Sequence, residues 1–528
     1  MKHRKIDGLE IIFLEESVFV SSEEIERAVS VVDESCGDSK VNLNVSSKNG
    51  KKKINITVNR LFQFKRKLDL MKKNIIPFYL KSYLDDFTKA LATIKLLPLI
   101  GRDEEIKKIW TYLSQLNRKN VFVVGEADVG KTTIVLEIAR KLINLEVPKK
   151  FHNHRLIRLN PEKILNIKTD TKKLIVIESI ENFIKSHSSD IIIYIDDVVY
   201  MTLDDDLMRL LYKLIKKENI PIIMCTRSEM YNYIFAEDYF ITKSINLVEV
   251  MEPEFEEIYP MLEKTVMGME TSYSIEIPED IVKFAIYTSV LANTVSCNPG
   301  RTLLILDQAA TIAINEGKKK IDKECVLSCY DSYKKEYEAM SEEDKRIIAY
   351  HEAGHFLTLK KSSITGVKTA CVSILPMMDF LGVNFSYHML GKDLHKDRKY
   401  MIDTIAIYLG GRVAEKMVTK TLSSGASSDL EDANTLAEEM IIKYGLSKNG
   451  NNRSYILDEE YIKDYLLTDK DKEKINSEII SIIEEAYKRA KKILSKNRKI
   501  LDKIVNILLM EEILTGEELD KIVASCEI

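Results

Sequence analysis

The stretch 121–139, VFVVGEADVGKTTIVLEIA, constrains the fold of this chain more than any other. A β-branched apolar run leads into a loop containing Gly125 and Gly130, and a helical run opens on Lys131, Thr132 and Thr133. This is the GxxxxGK(S/T) pattern in its required setting, a strand, a loop and a helix. Backbone N–H groups of the loop and helix N-terminus surround phosphates, Lys131 reaches the outer phosphates, and Thr132 binds magnesium. Over residues 91–250 further apolar runs (LIRLN, DIIIYIDD, IPIIMCT) alternate with amphipathic helical patterns, which predicts a parallel α/β sheet.

The run IIIYIDDVV ends a buried-type strand in two acids. Asp196 is placed to hold Mg2+, and Asp197 to face the water that attacks ATP. Glutamate is the usual water-activating residue, and aspartate is one methylene shorter. A carboxylate misplaced by about 1 Å loses on the order of 10²-fold in rate, so slow hydrolysis is expected.

The flanking regions have other characters. Residues 1–90 mix short β-branched runs (VNLNV, KINITVNRLFQF) with polar turns, which predicts a small α+β domain without assignable chemistry. Residues 251–338 read as a helical lid, and 343–528 as a mainly helical domain interrupted by two strand-like runs, GVKTACVSIL and FLGVNFSY. The 528 residues, 45% hydrophobic and 30% charged, suit a multidomain globular chain. The 78 basic and 82 acidic residues are well mixed, so no basic field favours nucleic acid or an anionic membrane. Seven cysteines without a CxxC pair read as reduced thiols of a cytoplasmic protein, and no signal peptide or transmembrane segment is visible.

A second motif lies at 351–357, HEAGHFL. On a helix His351 and His355 stand one turn apart on one face, so both imidazoles can ligate one zinc while Glu352 faces the bound water. A catalytic zinc needs a third protein ligand. Glu415 and Asp429 lie downstream near helix starts, and Asp429 suits an N-cap equally well. Local chemistry does not choose between them.

Two resemblances bear on these motifs. LIGRDEEIKKIWTYLSQLNRKNVFVVGEADVGKTTIVLEIARKL resembles the AAA+ ATPases, above all the first ATPase module of the Clp unfoldases. By that resemblance CTRSEMYNY is similar to a sensor-1 region, with Thr226 facing the γ-phosphate, and NPGRTLLILDQA puts Arg301 near a sensor-2 position. A strand-end hydroxyl and a helix-surface charge are the plain alternatives. The segment AEDYFITKSINLVEV lacks the arginines that reach a neighbouring subunit's nucleotide in Clp modules, and PEKILNIKTDTKKLIVIES lacks the aromatic pore loop. The second resemblance is to the FtsH peptidases. AYHEAGHFL, LGGRVAEKM, SSGASSDLEDANTLAEEMI and the tail from IEEAYKRAKK onward together resemble the FtsH peptidase domain. This implies His351, His355 and Asp429 as zinc ligands, Glu352 as base, and Glu415 as an acid that orients a ligand or supports the fold. It further implies that an edge strand, for which FLGVNFSYH at 380–388 is the candidate, holds extended substrate.

The expected protein is therefore an ATP-dependent zinc metalloendopeptidase of the cytoplasm. It uses Zn2+, ATP and Mg2+, acts on protein substrates and assembles as a homo-hexamer. An ATP-independent or nucleotide-regulated peptidase, and a non-enzymatic AAA+ scaffold or chaperone, are the alternatives.

Overall fold

The structure is a computed structural model. It describes the whole chain except residues 1–2, 7–8, 16–17, 31–38, 48–49, 95–97, 218–219, 293–295, 331–336, 376–381, 389–396, 420–426, 448–455, 459–460, 463–467 and 528. Two compact units account for it. The first comprises Met1–Pro253, Pro260–Lys264 and Val295–Gly300, and the second Glu254–Tyr259, Thr265–Thr294 and Arg301–Ile528.

The first unit begins with five antiparallel strands in chain order, β1 (His3–Ile6), β2 (Leu9–Glu15), β3 (Val18–Ser21), β4 (Lys40–Ser47) and β5 (Gly50–Thr57). Helices Ser22–Val29 and Val58–Lys72 cover this sheet, and Ile25, Leu43, Leu61 and Leu68 form a core of their own. The apolar run KINITVNRLFQF is thus split. Thr57 accepts a hydrogen bond from the Arg60 N–H as an N-cap, and the β-branched residues give way to a helix from Val58 onward.

The second sheet of this unit contains β6 (Leu84–Asp86), β7 (Asn120–Val124), β8 (Arg155–Leu159), β9 (Ile191–Ile195), β10 (Ile222–Thr226) and β11 (Ile245–Glu249). Their order is β11-β7-β10-β9-β8-β6, parallel throughout except where β6 runs antiparallel to β8. Along β7, Phe122 and Val124 enter one core while Val121 and Val123 enter another. Helices cover both faces, so consecutive residues are buried and the strand sequence shows no polar alternation.

The second unit is mainly helical. Its helices include Glu342–Lys361, Ser427–Ile442, Asp469–Lys496 and Arg498–Glu511. Strands β12 (Val367–Ser373) and β13 (Val383–His388) pair antiparallel, and the short β14 (Ile456–Asp458) and β15 (Tyr461–Ile462) pair with each other. A strand not expected from the sequence, β16 (Ile513–Thr515), adds to the other side of β12, so β13 lies at an edge of a three-stranded sheet. Among the described residues no helix is long and apolar enough to cross a membrane, and the six described cysteines are free thiols. Cys36 lies outside the described residues.

Candidate metal centre and phosphate loop

Helix Glu342–Lys361 starts where the Ser341 hydroxyl accepts from the Asp344 N–H, with three acids in its first turn, a sequence-local start signal. Two turns on, it presents His351 and His355 on one face, their Nε2 atoms 3.0 Å apart. Asp429, in the first turn of helix Ser427–Ile442, places Oδ2 3.0 Å from His351 Nε2 and 3.3 Å from His355 Nε2. The three residues form a possible metal site, with one donor atom from each lying within 4.8 Å of the others.

The remaining ring nitrogens explain why the donors converge. His355 Nδ1 lies 2.7 Å from the Ile407 carbonyl, which can only accept, so Nδ1 carries the hydrogen and Nε2 keeps its lone pair. His351 Nδ1 lies 2.6 Å from Glu415 Oε1, a carboxylate that fixes the same tautomer. Two imidazole lone pairs and a carboxylate facing one another repel unless a cation or proton joins them, so the donor set fits a metal ion. Burial alone would lower the His351 pKa. Hydrogen bonds to Asp429 and Glu415 outweigh it and raise that pKa to about 10. Burial would raise the Asp429 pKa, but the two histidines hold that carboxyl well below its usual range.

Glu352 is buried beside this cluster, and burial pushes its carboxyl above the ordinary glutamate range although His351 and His355 oppose the shift. Sequence reasoning missed Gly411. A Cβ there would fall 2.4 Å from His355 Nε2 and 2.6 Å from His351 Cε1, so helix Gly410–Thr419 approaches the rings only because this residue has none. The Gly410–Gly411 pair at a helix start was the available signal, since glycine costs a helix about 1 kcal/mol and calls for a reason.

In the first unit, β7 leads through residues 125–130 into helix Lys131–Ile143. Gly130 has φ +101°, the left-handed region that glycine adopts without strain. Lys131 Nζ donates to the Gly125 and Glu126 carbonyls at 2.8 and 2.6 Å, while Thr132 and Thr133 follow in the first turn. Asp196 follows β9 and lies 3.7 Å from Arg158. Asp197 has φ +45°, and burial raises its pKa against the pull of Arg227. Thr226 ends β10, buried, its hydroxyl without a hydrogen-bond partner among the described residues. Thus Lys131, Asp196 and Asp197 follow, and Thr226 ends, neighbouring parallel strands of one sheet, at their C-terminal ends. Arg301, in helix Gly300–Asn315, falls in the second unit.

Two histidines one helical turn apart, a converging carboxylate and a buried glutamate beside the first histidine define a metallopeptidase-type centre. Residues 338–522 match the family model described as Peptidase family M41. The chain is similar to proteins named ATP-dependent zinc metalloprotease FtsH. It is 35% identical over 231 residues to an ATP-dependent zinc metalloprotease FtsH of Caldicellulosiruptor bescii, covering 42% of this chain and 37% of that protein. Identity is 31% over 234 residues to the protein of the same name in Thermotoga maritima (42% and 38%), and 33% over 228 residues to that of Thermus thermophilus (42% and 36%). The chain thus spans less than two-fifths of the length of these relatives.

Proposed function

We propose that this chain is an ATP-dependent zinc metalloendopeptidase acting on cytoplasmic proteins as a homo-hexamer. The observation that carries the reading is the convergence of His351, His355 and Asp429, each histidine tautomer fixed from behind, next to the buried Glu352. Zinc held by these residues supplies Lewis-acid polarisation of the scissile carbonyl and a water acidified towards a pKa of about 7. Glu352 takes the proton of the attacking water and returns it to the leaving amine. Burial raises its pKa, the direction that helps the carboxyl hold the proton between the two transfers. Glu415 and the Ile407 carbonyl hold the rings in place, and the edge of β13 that is unpaired among the described residues offers backbone groups to an extended substrate.

In the same reading, residues 91–250 are an AAA+ α/β domain, 251–338 its helical lid, and 343–528 the peptidase domain. ATP lies along the loop from Gly125 to Gly130, with Lys131, Thr132 and Thr133 at its phosphates and Asp196 holding Mg2+. Asp197 faces the attacking water, Thr226 senses the γ-phosphate, and Arg301 is the sensor-2 candidate.

A second reading, a peptidase regulated by nucleotide with little hydrolysis, draws on the short Asp197 side chain and its left-handed backbone. Casein and a folded protein, each incubated with wild type, Glu352→Gln and Lys131→Ala with and without ATP, separate the readings. ATP-dependent loss of the folded substrate, abolished in both variants, supports the first. Cleavage of casein alone, indifferent to ATP hydrolysis, supports the second. Zinc-free protein with no proteolysis defeats both.

A further inference from the structure

Strand β13 is gripped on both faces. On one, Asn384 Nδ2 donates to the Glu352 backbone carbonyl at 3.4 Å, and Gly382, just before the strand, lies so close that a Cβ would fall 2.9 Å from Glu352 Oε1. On the other, Phe255 opens helix Phe255–Tyr273 with its ring 4.5 Å from Tyr387 and 6.3 Å from Phe385, and stacks on Tyr287 at 5.7 Å. The next residue, Glu256, accepts from the Tyr387 hydroxyl at 3.0 Å and from Lys368 Nζ at 2.8 Å. Lys368 and Tyr387 face each other in the β12–β13 register, so one carboxylate ties both strands at a single rung.

The position of this grip matters because, among the described residues, β13 pairs with β12 alone in its sheet. An edge strand has ladder hydrogen bonds on one side only, and its placement depends on what its faces touch. The face carrying Phe385 and Tyr387 meets Phe255 and Glu256, while Asn384, on the opposite face, meets the helix that carries the catalytic candidates.

We propose that Phe255 and Glu256 are positioning residues for peptide hydrolysis, fixing β13 so that its free edge and the Glu352 carboxylate stay in register along an extended substrate. This rests on the peptidase reading above. Neither residue touches the reacting atoms. They act through the strand, so their removal is felt in proportion to how much of the strand a substrate uses.

The test uses the full-length zinc-loaded protein and two fluorogenic substrates, a long extended peptide and a tripeptide. Phe255→Ala and Glu256→Gln are each expected to raise KM for the long peptide about 10-fold, with kcat nearly unchanged and tripeptide cleavage little affected. Phe255→Tyr restores the long-peptide KM. Equal losses on both substrates, or none on either, overturn the inference, because a general loosening of the fold does not discriminate by substrate length. Glu256 is exposed, so its Gln variant carries the test should Phe255→Ala fail to fold. A wild type that cleaves neither peptide defeats the peptidase reading and this inference with it, whereas an active wild type with indifferent variants defeats this inference alone.

Discussion

At the metal centre, each histidine already has one ring nitrogen committed, His351 to Glu415 and His355 to the Ile407 carbonyl, so the other nitrogen is aimed before any ion arrives. At the phosphate loop, Lys131 donates to the carbonyls of its own loop, and the buried Thr226 hydroxyl has no partner among the described residues. The first arrangement is pre-organised, because binding an ion displaces little more than a proton. The second must give up intramolecular hydrogen bonds before Lys131 can reach a phosphate. A nucleotide bound there, as proposed above, would therefore carry a reorganisation cost that a metal ion at the other site would not.

The largest expected effect tests whether the metal centre performs the chemistry. Glu352→Gln keeps size and shape but cannot take a proton, and should lower kcat for casein by about 10²–10⁴-fold with zinc content unchanged by atomic absorption. Activity equal to wild type would remove the basis for comparing the two sites as working centres. Next in size is Lys131→Ala. Losing a charge-assisted hydrogen bond of about 1.5–3 kcal/mol should weaken ATP binding by about 10–100-fold in calorimetry, again without loss of zinc. If ATP binds the variant as tightly as wild type, the lysine never leaves its loop carbonyls.

How legible each site is in the sequence follows from the kind of group that builds it. His351 and His355 can be read because the helical period puts i and i+4 on one face. Asp429 cannot be read locally, since an aspartate near a helix start looks like any N-cap, and resemblance supplied it. The Ile407 carbonyl is a backbone group and leaves no residue-type signature at all. The parallel sheet is legible because β7, β9 and β10 are buried on both faces and so are apolar but for Asn120 and Thr226 at their ends. β16 is not, because three residues between two helices become a strand only through long-range pairing with β12. The helix from Val58 is masked in the same way, by β-branched residues that the Thr57 cap and the packing of Leu61, Phe64 and Leu68 override.

A sharper test of pre-organisation concerns Glu415. Its carboxylate orients His351 from behind, and partners of this kind typically contribute 10–100-fold to metal affinity. Glu415→Gln keeps the volume but weakens the hydrogen bond to Nδ1. Competition with a chromogenic chelator should show zinc held about 10-fold less tightly, with peptide cleavage recovering at saturating zinc. An unchanged affinity would mean that the helix alone aims the histidine, and that the two sites differ less than their hydrogen bonds suggest.

The smallest expected effect is a difference in acid sensitivity. His154, in the first unit, packs edge-on against Phe151 at 4.9 Å, and its Nδ1 has no hydrogen-bond partner among the described residues. Burial pushes its pKa down to about 4; Arg66, Lys150 and Lys119 add to the shift and Asp190 opposes it. The unfolded chain regains a histidine pKa of about 6.5, so between about pH 6.5 and 4 it binds a proton that the folded unit refuses, and stability falls as pH falls. The ring is partly open to water, and screening reduces the contribution to about 1 kcal/mol. In chelator-treated protein His351 behaves oppositely. Its pKa is raised to about 10, so its contribution is fully present below about 6.5 and is lost only as pH rises through about 10. Hydrogen exchange at pH 7.5 and pH 5 should therefore show the helix Val58–Lys72 and β8 losing protection on acidification while helix Glu342–Lys361 keeps it. His154→Gln should flatten the response of the first unit. Protection lost equally in both units, or unaltered by that substitution, would show that His154 does not set the acid limit.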